Sequence, residues 1–223
     1  MDCSNSLHLN AQLLATWEQL LQPFFPHPTD VQQVFEQLIH AYREGDRHYH
    51  TPSHLEHILT VIEQLKEETT DINAVTLAGW FHDIVYDPQG QDNERQSANW
   101  AARSLRSLHI PQDCISEVHR LILLTQHHRL DAGDRNGQVL LDADLAILGT
   151  HPTQYQSYAS CIRQEYAWLS EEAFLRGRKL VLENFLLRDR IYHTDWMFHH
   201  HETQARANLS SEYQALQSSL RGE

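Results

Sequence analysis

Apolar positions along this chain recur at spacings of three and four almost everywhere, and no segment alternates in the manner of a strand. Val31, Val34, Phe35, Leu38, Ile39 and Tyr42 mark one amphipathic helix, with Thr29 or Asp30 as its N-cap after Pro28 and a stop near Gly45. Thr51-Pro52 then supplies a cap residue and a proline for the first helical position, followed by Leu55, Ile58, Leu59, Ile62 and Leu65. An almost wholly apolar helix is expected over 73–85, then a loop, "DPQGQDN". Further helices are predicted over 93–108, 111–126, 139–149, 152–169, 171–190 and 202–219, with Pro111 and Pro152 near helix starts, where a missing N–H is harmless. With only eight glycines and no repeat or linker, the pattern predicts an all-α, single-domain helical bundle over residues 1–223.

At 223 residues the chain can bury a sizeable core without staples. Cys3, Cys114 and Cys161 are odd in number and far apart, which argues for a reducing compartment and against disulfides or a zinc ribbon. No stretch approaches the roughly 18 uninterrupted apolar residues that would cross a bilayer. "MDCSNSLHLNAQ" has neither the basic nor the apolar part of a secretion signal, so a cytoplasmic location is expected. A net charge of -13 speaks against a broad nucleic-acid surface, although a few arginines and a cation can still make a local pocket for a small anion. The 17 histidines equal the lysines and arginines together, so their placement matters more than their number. The run His199-His200-His201 reads as solvent-facing.

Charge enters predicted apolar faces at four places. His54 shares a face with Ile58, Val61 and Leu65 and points inward, whereas His57 falls at the boundary. His82-Asp83 lies in "WFHDIVYD", within a helix apolar all round and therefore buried. "LLDADLAILG" carries Asp142 and Asp144, about 200° apart on a helix, so they do not share a direction. Asp144 falls in the stripe of Leu140, Ile147 and Leu148, while Asp142 suits a cap at the helix start. In "TQHHR", His127 and His128 end a helix, where a histidine also serves simply as a partner for the helix dipole. Each site alone has an ordinary structural explanation. Together they make an expensive core, because an ionised buried carboxylate costs several kcal/mol unless paired. One divalent cation shared by His54, His82, Asp83 and Asp144 answers these costs at once. The mixed N/O set suits a six-coordinate ion (Mn, Mg, Co, Ni, Fe or Zn) better than a closed tetrahedral zinc site.

The order His, His-Asp, Asp on an all-α chain resembles the HD superfamily of metal-dependent phosphohydrolases. The likeness extends over about residues 28–210 and is carried by "RHYHTPSHL", "WFHDIVYDP", "DNERQSA", "LLDADLAILG" and "IRQEY". It implies a helical bundle of the HD-domain type that uses a metal-activated water. "YHTPSH" is also similar to the Y-H-N-x-x-H signature of cyclic-nucleotide phosphodiesterases, which implies His54 as metal ligand and His50 as proton donor to the leaving group. Thr51 stands where those enzymes carry Asn, and Tyr86 stands where their second HDxxH histidine would be. Both departures speak against their two-metal site.

The implied reaction is hydrolysis of a phosphate ester or anhydride on a nucleotide or other small metabolite. Asp83 and Asp144 supply ligands, with whichever is less tightly bound orienting the water; Asp83 is the candidate for that catalytic part and His50 the candidate general acid. Arg47, His128, Arg129 and Glu94 are the candidate substrate contacts, the arginines by paired hydrogen bonds to phosphate. For Glu94 the alternative is a purely structural setting, with Asn93 and Gln96 capping its helix. Arg163 in "IRQEY" reads as a lock between helices. Two alternatives stand beside the hydrolase: a regulatory HD domain that binds metal or nucleotide without turnover, and a di-iron oxygenase that draws further ligands from His127 or His128.

Overall fold

A computed structural model describes the backbone of residues 3–221 and the side chains of 7–221; the Cys3 thiol lies outside them. All regular structure among these residues is helical: α1 (Cys3–Leu21), α2 (Pro28–Ala41), α3 (Pro52–Gln64), α4 (Ile72–Phe81), α5 (Asn93–Ser107), α6 (Gln112–Leu124), α7 (Arg135–Asp144), α8 (Pro152–Glu165), α9 (Glu171–Leu186) and α10 (Asp195–Arg221). A 3-10 stretch, Leu145–Gly149, continues α7. No described helix is long and apolar enough to cross a membrane. Packing groups the chain into two compact units, residues 1–143 and 144–223.

In the first unit α4 is central and packs against α3, α5 and α6. Its apolar circumference explains this, since Ala74, Val75, Leu77, Ala78, Trp80 and Phe81 are all fully buried. Helix α1, which the periodicity analysis did not assign, closes the core with Leu13, Trp17 and Leu21. The Trp17 ring meets Trp80 edge-on at 5.2 Å, and its Nε1–H donates to the Val31 carbonyl at 3.1 Å.

Several predicted boundaries move. The α2 cap is His27, whose ring accepts from the Thr29 N–H, rather than Thr29 or Asp30, because Pro28 already occupies the first turn. Asp71 caps α4 by accepting from the Ala74 N–H. Asp92 holds the start of α5 and accepts from Gln96 Nε2 at 2.7 Å, while Asn93 instead bonds back to the Asp87 backbone. Most importantly, α4 stops at Phe81, so His82-Asp83 stand in the turn after it and not inside it.

In the second unit α10 packs on α9 and on the 3-10 stretch. Buried Arg178 forms a two-point pair with Glu212, at 2.8 and 3.1 Å, and Tyr155 donates to the same carboxylate. Glu202 accepts from the Ile191 and Tyr192 N–H groups and from Arg206. Arg163 bridges the end of α8 to Glu171 at the start of α9, the locking role its sequence suggested. Gly149 marks the closest approach to α10, where an added Cβ would lie 2.7 Å from His201 Cβ and 3.0 Å from its carbonyl oxygen. In the histidine run His199 and His200 are exposed and His201 is half-buried. Because backbone cannot yield as a flexible side chain does, Gly149→Ala is expected to cost about 1–3 kcal/mol. The urea midpoint reports it, and an unchanged midpoint contradicts the close crossing.

Candidate metal centre

The centre is built from three chain segments. The first turn of α3 delivers His54, at 4% exposure, because proline at its first position fixes the entry and Leu55, Ile58 and Leu59 bury the same side. The turn ending α4 delivers His82, at 1% exposure, and Asp83. The last residue of α7 delivers Asp144; the other nine residues of that helix lie in the first unit.

His82 is held by both ring nitrogens. Its Nδ1 lies 2.9 Å from the Gly79 carbonyl, which can only accept, so Nδ1 carries the hydrogen. In the neutral ring the Nε2 lone pair is then left facing His54 Nε2, 3.2 Å away. Gly79 is small for a reason: a Cβ there would come within 2.7 Å of Ile62 Cδ1, so glycine lets α3 approach α4. Asp83 Oδ2 lies 3.1 Å from His82 Nε2, 3.8 Å from His54 Nε2 and 3.7 Å from His50 Nε2. One ligand atom each from His54, His82 and Asp144 falls within 4.8 Å of the others.

The donor set fits a cation. Two imidazole nitrogens each about 2.0–2.1 Å from a shared ion, and 3.2 Å apart, subtend roughly 100°, inside the range of ordinary coordination. A hydrogen bond between two neutral rings also spans 3.2 Å, but brings no positive charge to the carboxylates gathered there. The Nδ1–H to carbonyl bond of His82 is the outer contact that orients a ligating imidazole.

The remaining candidates separate. His50 sits at the margin, its side chain 17% exposed, stacked on Tyr86 at 4.0 Å. Arg47, expected to hold phosphate, instead donates Nη1 to the carbonyls of His50 (3.1 Å) and Asp83 (2.8 Å) and Nη2 to that of Ile84 (2.9 Å). Glu94 is half-buried in the first turn of α5. His127 and Arg129 are exposed in the turn after α6, where half-buried His128 takes a left-handed φ of 49°. Neither Glu94 nor these histidines belongs to the converging set. Asp142 is fully buried in α7 and does not cap its start. Sequence reasoning passed over Tyr42, buried at the back of the site, where its hydroxyl donates to the Trp80 carbonyl at 3.2 Å. Burial foremost, with Asp83 adding to it and His82 and Arg47 opposing, pushes Tyr42 up to about 12, so it remains a neutral donor.

The start of α7 is fixed by polar contacts. Arg120 forks between Glu117 (2.8 and 2.9 Å) and Asp134 (2.6 and 3.1 Å). Asn136 Oδ1 accepts from Thr69, Thr70 and the Asp71 N–H, joining the first turn of α7 to the segment that leads into α4. No family model, curated protein or solved structure matches this chain.

Glu117 is held below its ordinary 4.5 by hydrogen bonds from Arg120 and, after the opposing effect of burial, from Asn136. For Asp134 burial acts upward, but the Arg120 fork and the Gly137 N–H outweigh it and hold the carboxyl below 3.8. Depressed folded-state values mean that this stability is fully present above the ordinary values and is lost as pH falls through the lowered ones. The parent is therefore expected to lose more stability than Arg120→Met between about pH 5 and pH 3, by about 1 kcal/mol after solvent screening. Urea titrations across that range check it, and parallel pH profiles contradict it.

Proposed function

We propose that the chain is a metal-dependent phosphohydrolase of the HD superfamily, acting on a phosphate ester or anhydride of a nucleotide or other small metabolite. The observation that carries this is the convergence of His54, His82 and Asp144, with Asp83 against the same two nitrogens. These residues come from segments far apart in sequence, and a structural hydrogen-bonded pair does not require four of them.

His54, His82 and Asp144 would hold the cation, with Asp83 beside them. When bound, a divalent ion polarises a phosphoryl oxygen and brings the pKa of water towards neutrality. Asp83, more exposed than the two histidines at 19% of its side chain, accepts a hydrogen bond from the attacking water and aims it. His50 donates a proton to the departing oxygen, its ring plane set by the Tyr86 stack. Arg129 and His128 are the phosphate contacts proposed from the turn after α6, and Glu94, at the start of α5, is proposed to reach a second ion or water at the site. The marginal exposure of His50 and Asp83 supports a small substrate reaching the centre from one side.

The test is phosphate release from a set of phosphorylated metabolites with Mn, Mg, Co, Ni, Fe or Zn. At least one combination is expected to turn over, and Asp83→Ala to abolish it. Release by that variant at the parental rate sinks the assignment. His50→Ala is expected to keep its metal while losing about 10²–10⁴-fold in rate; a parental rate with metal retained removes His50 from the chemistry.

A further inference from the structure

Arg47 lies three residues before His50, and the natural expectation for such a residue is a phosphate contact. Its donors point elsewhere. Nη1 serves the His50 and Asp83 carbonyls and Nη2 the Ile84 carbonyl. The Asp83 and Ile84 carbonyls lie in the turn that follows α4. The His50 carbonyl belongs to the segment that leads into α3. A single planar group therefore joins the two segments that carry His54 and His82-Asp83.

The same guanidinium lies 5.3 Å from the Tyr42 ring centre and 5.4 Å from that of Tyr86. Tyr86 in turn stacks on His50. Arg47 thus bears on His50 twice, through its carbonyl and through the ring that sets its imidazole. A lysine offers a point charge and rotating donors, and cannot reach three carbonyls lying in two directions with a fixed fork.

We propose that Arg47 is a positioning residue: it holds the α3 entry and the α4 exit in register, so that the His54 and His82 ligand atoms meet with the Asp83 carboxylate beside them. This rests on the metal-centre reading above. It assigns Arg47 to assembling the centre and not to holding substrate.

The experiment is Mn²⁺ binding to the full chain by equilibrium dialysis, with apo-protein melting measured in parallel, for the parent, Arg47→Lys and Arg47→Gly. Arg47→Lys keeps the charge and most of the side chain, so its apo form is expected to melt near the parent. Its Mn²⁺ affinity is expected to fall about 10- to 100-fold, the usual range for outer contacts of a metal site. Methylguanidine is expected to restore part of the affinity to Arg47→Gly. Parental affinity in Arg47→Lys, whatever its melting temperature, overturns the proposal and leaves the metal centre standing. A parent that takes up no Mn²⁺ at this site overturns the metal reading itself, and the proposal with it.

Discussion

One imidazole fixes the geometry on which the rest depends. His82 follows the last residue of α4, and its Nδ1–H turns back to the Gly79 carbonyl, three residues earlier. That bond selects the tautomer, orients the ring, and leaves Nε2 directed at His54 and at Asp83. It depends on α4 ending at Phe81, on α3 coming close enough over Gly79, and on the turn at 82–85 being held. Two sets of contacts hold that turn: Arg47 on the Asp83 and Ile84 carbonyls, and Ser97 of α5 on both backbone groups of Val85.

A second set of contacts fixes where α7 begins. Helices α4 and α7 are each ten residues long, about 15 Å at 1.5 Å per residue. Asn136 ties the first turn of α7 to the segment that leads into α4 by accepting from Thr69, Thr70 and the Asp71 N–H. The turn after α4 carries His82, and the last residue of α7 is Asp144. The Arg120 fork on Glu117 and Asp134 fixes the same starting point from α6.

The sequence was informative where burial and period coincide. His54 could be assigned an inward direction because Ile58 and Val61 mark its face, and the His82-Asp83 pair stood out because its neighbours are apolar, although only His82 is buried. Helix ends were less legible. The apolar run continues to Val85, so periodicity alone extended α4 past its true end and hid the turn that frees the His82 ring. Asp142 and Asp144 could be separated by angle, but α7 is buried on several sides, so the angle could not reveal that Asp142 is the more deeply buried. Helix α1 was overlooked although Leu13, Trp17 and Leu21 repeat every four residues, because a polar leading stretch dilutes the pattern. The backbone contacts of Arg47 were not legible for a different reason: proximity to His50 is visible in sequence, whereas carbonyls returning from 36 residues away are not.

The central claim is that the Nε2 atoms of His54 and His82 face a shared divalent cation. Ring-nitrogen NMR of ¹⁵N-histidine-labelled protein during Zn²⁺ titration tests it directly, since each imidazole reports its own protonation and ligation. The account predicts that the Nε2 signals of His54 and His82 move together at one equivalent of metal, while the His82 Nδ1 stays protonated on its carbonyl. Movement confined to exposed rings such as His199 and His200, with those two signals unchanged, would contradict it.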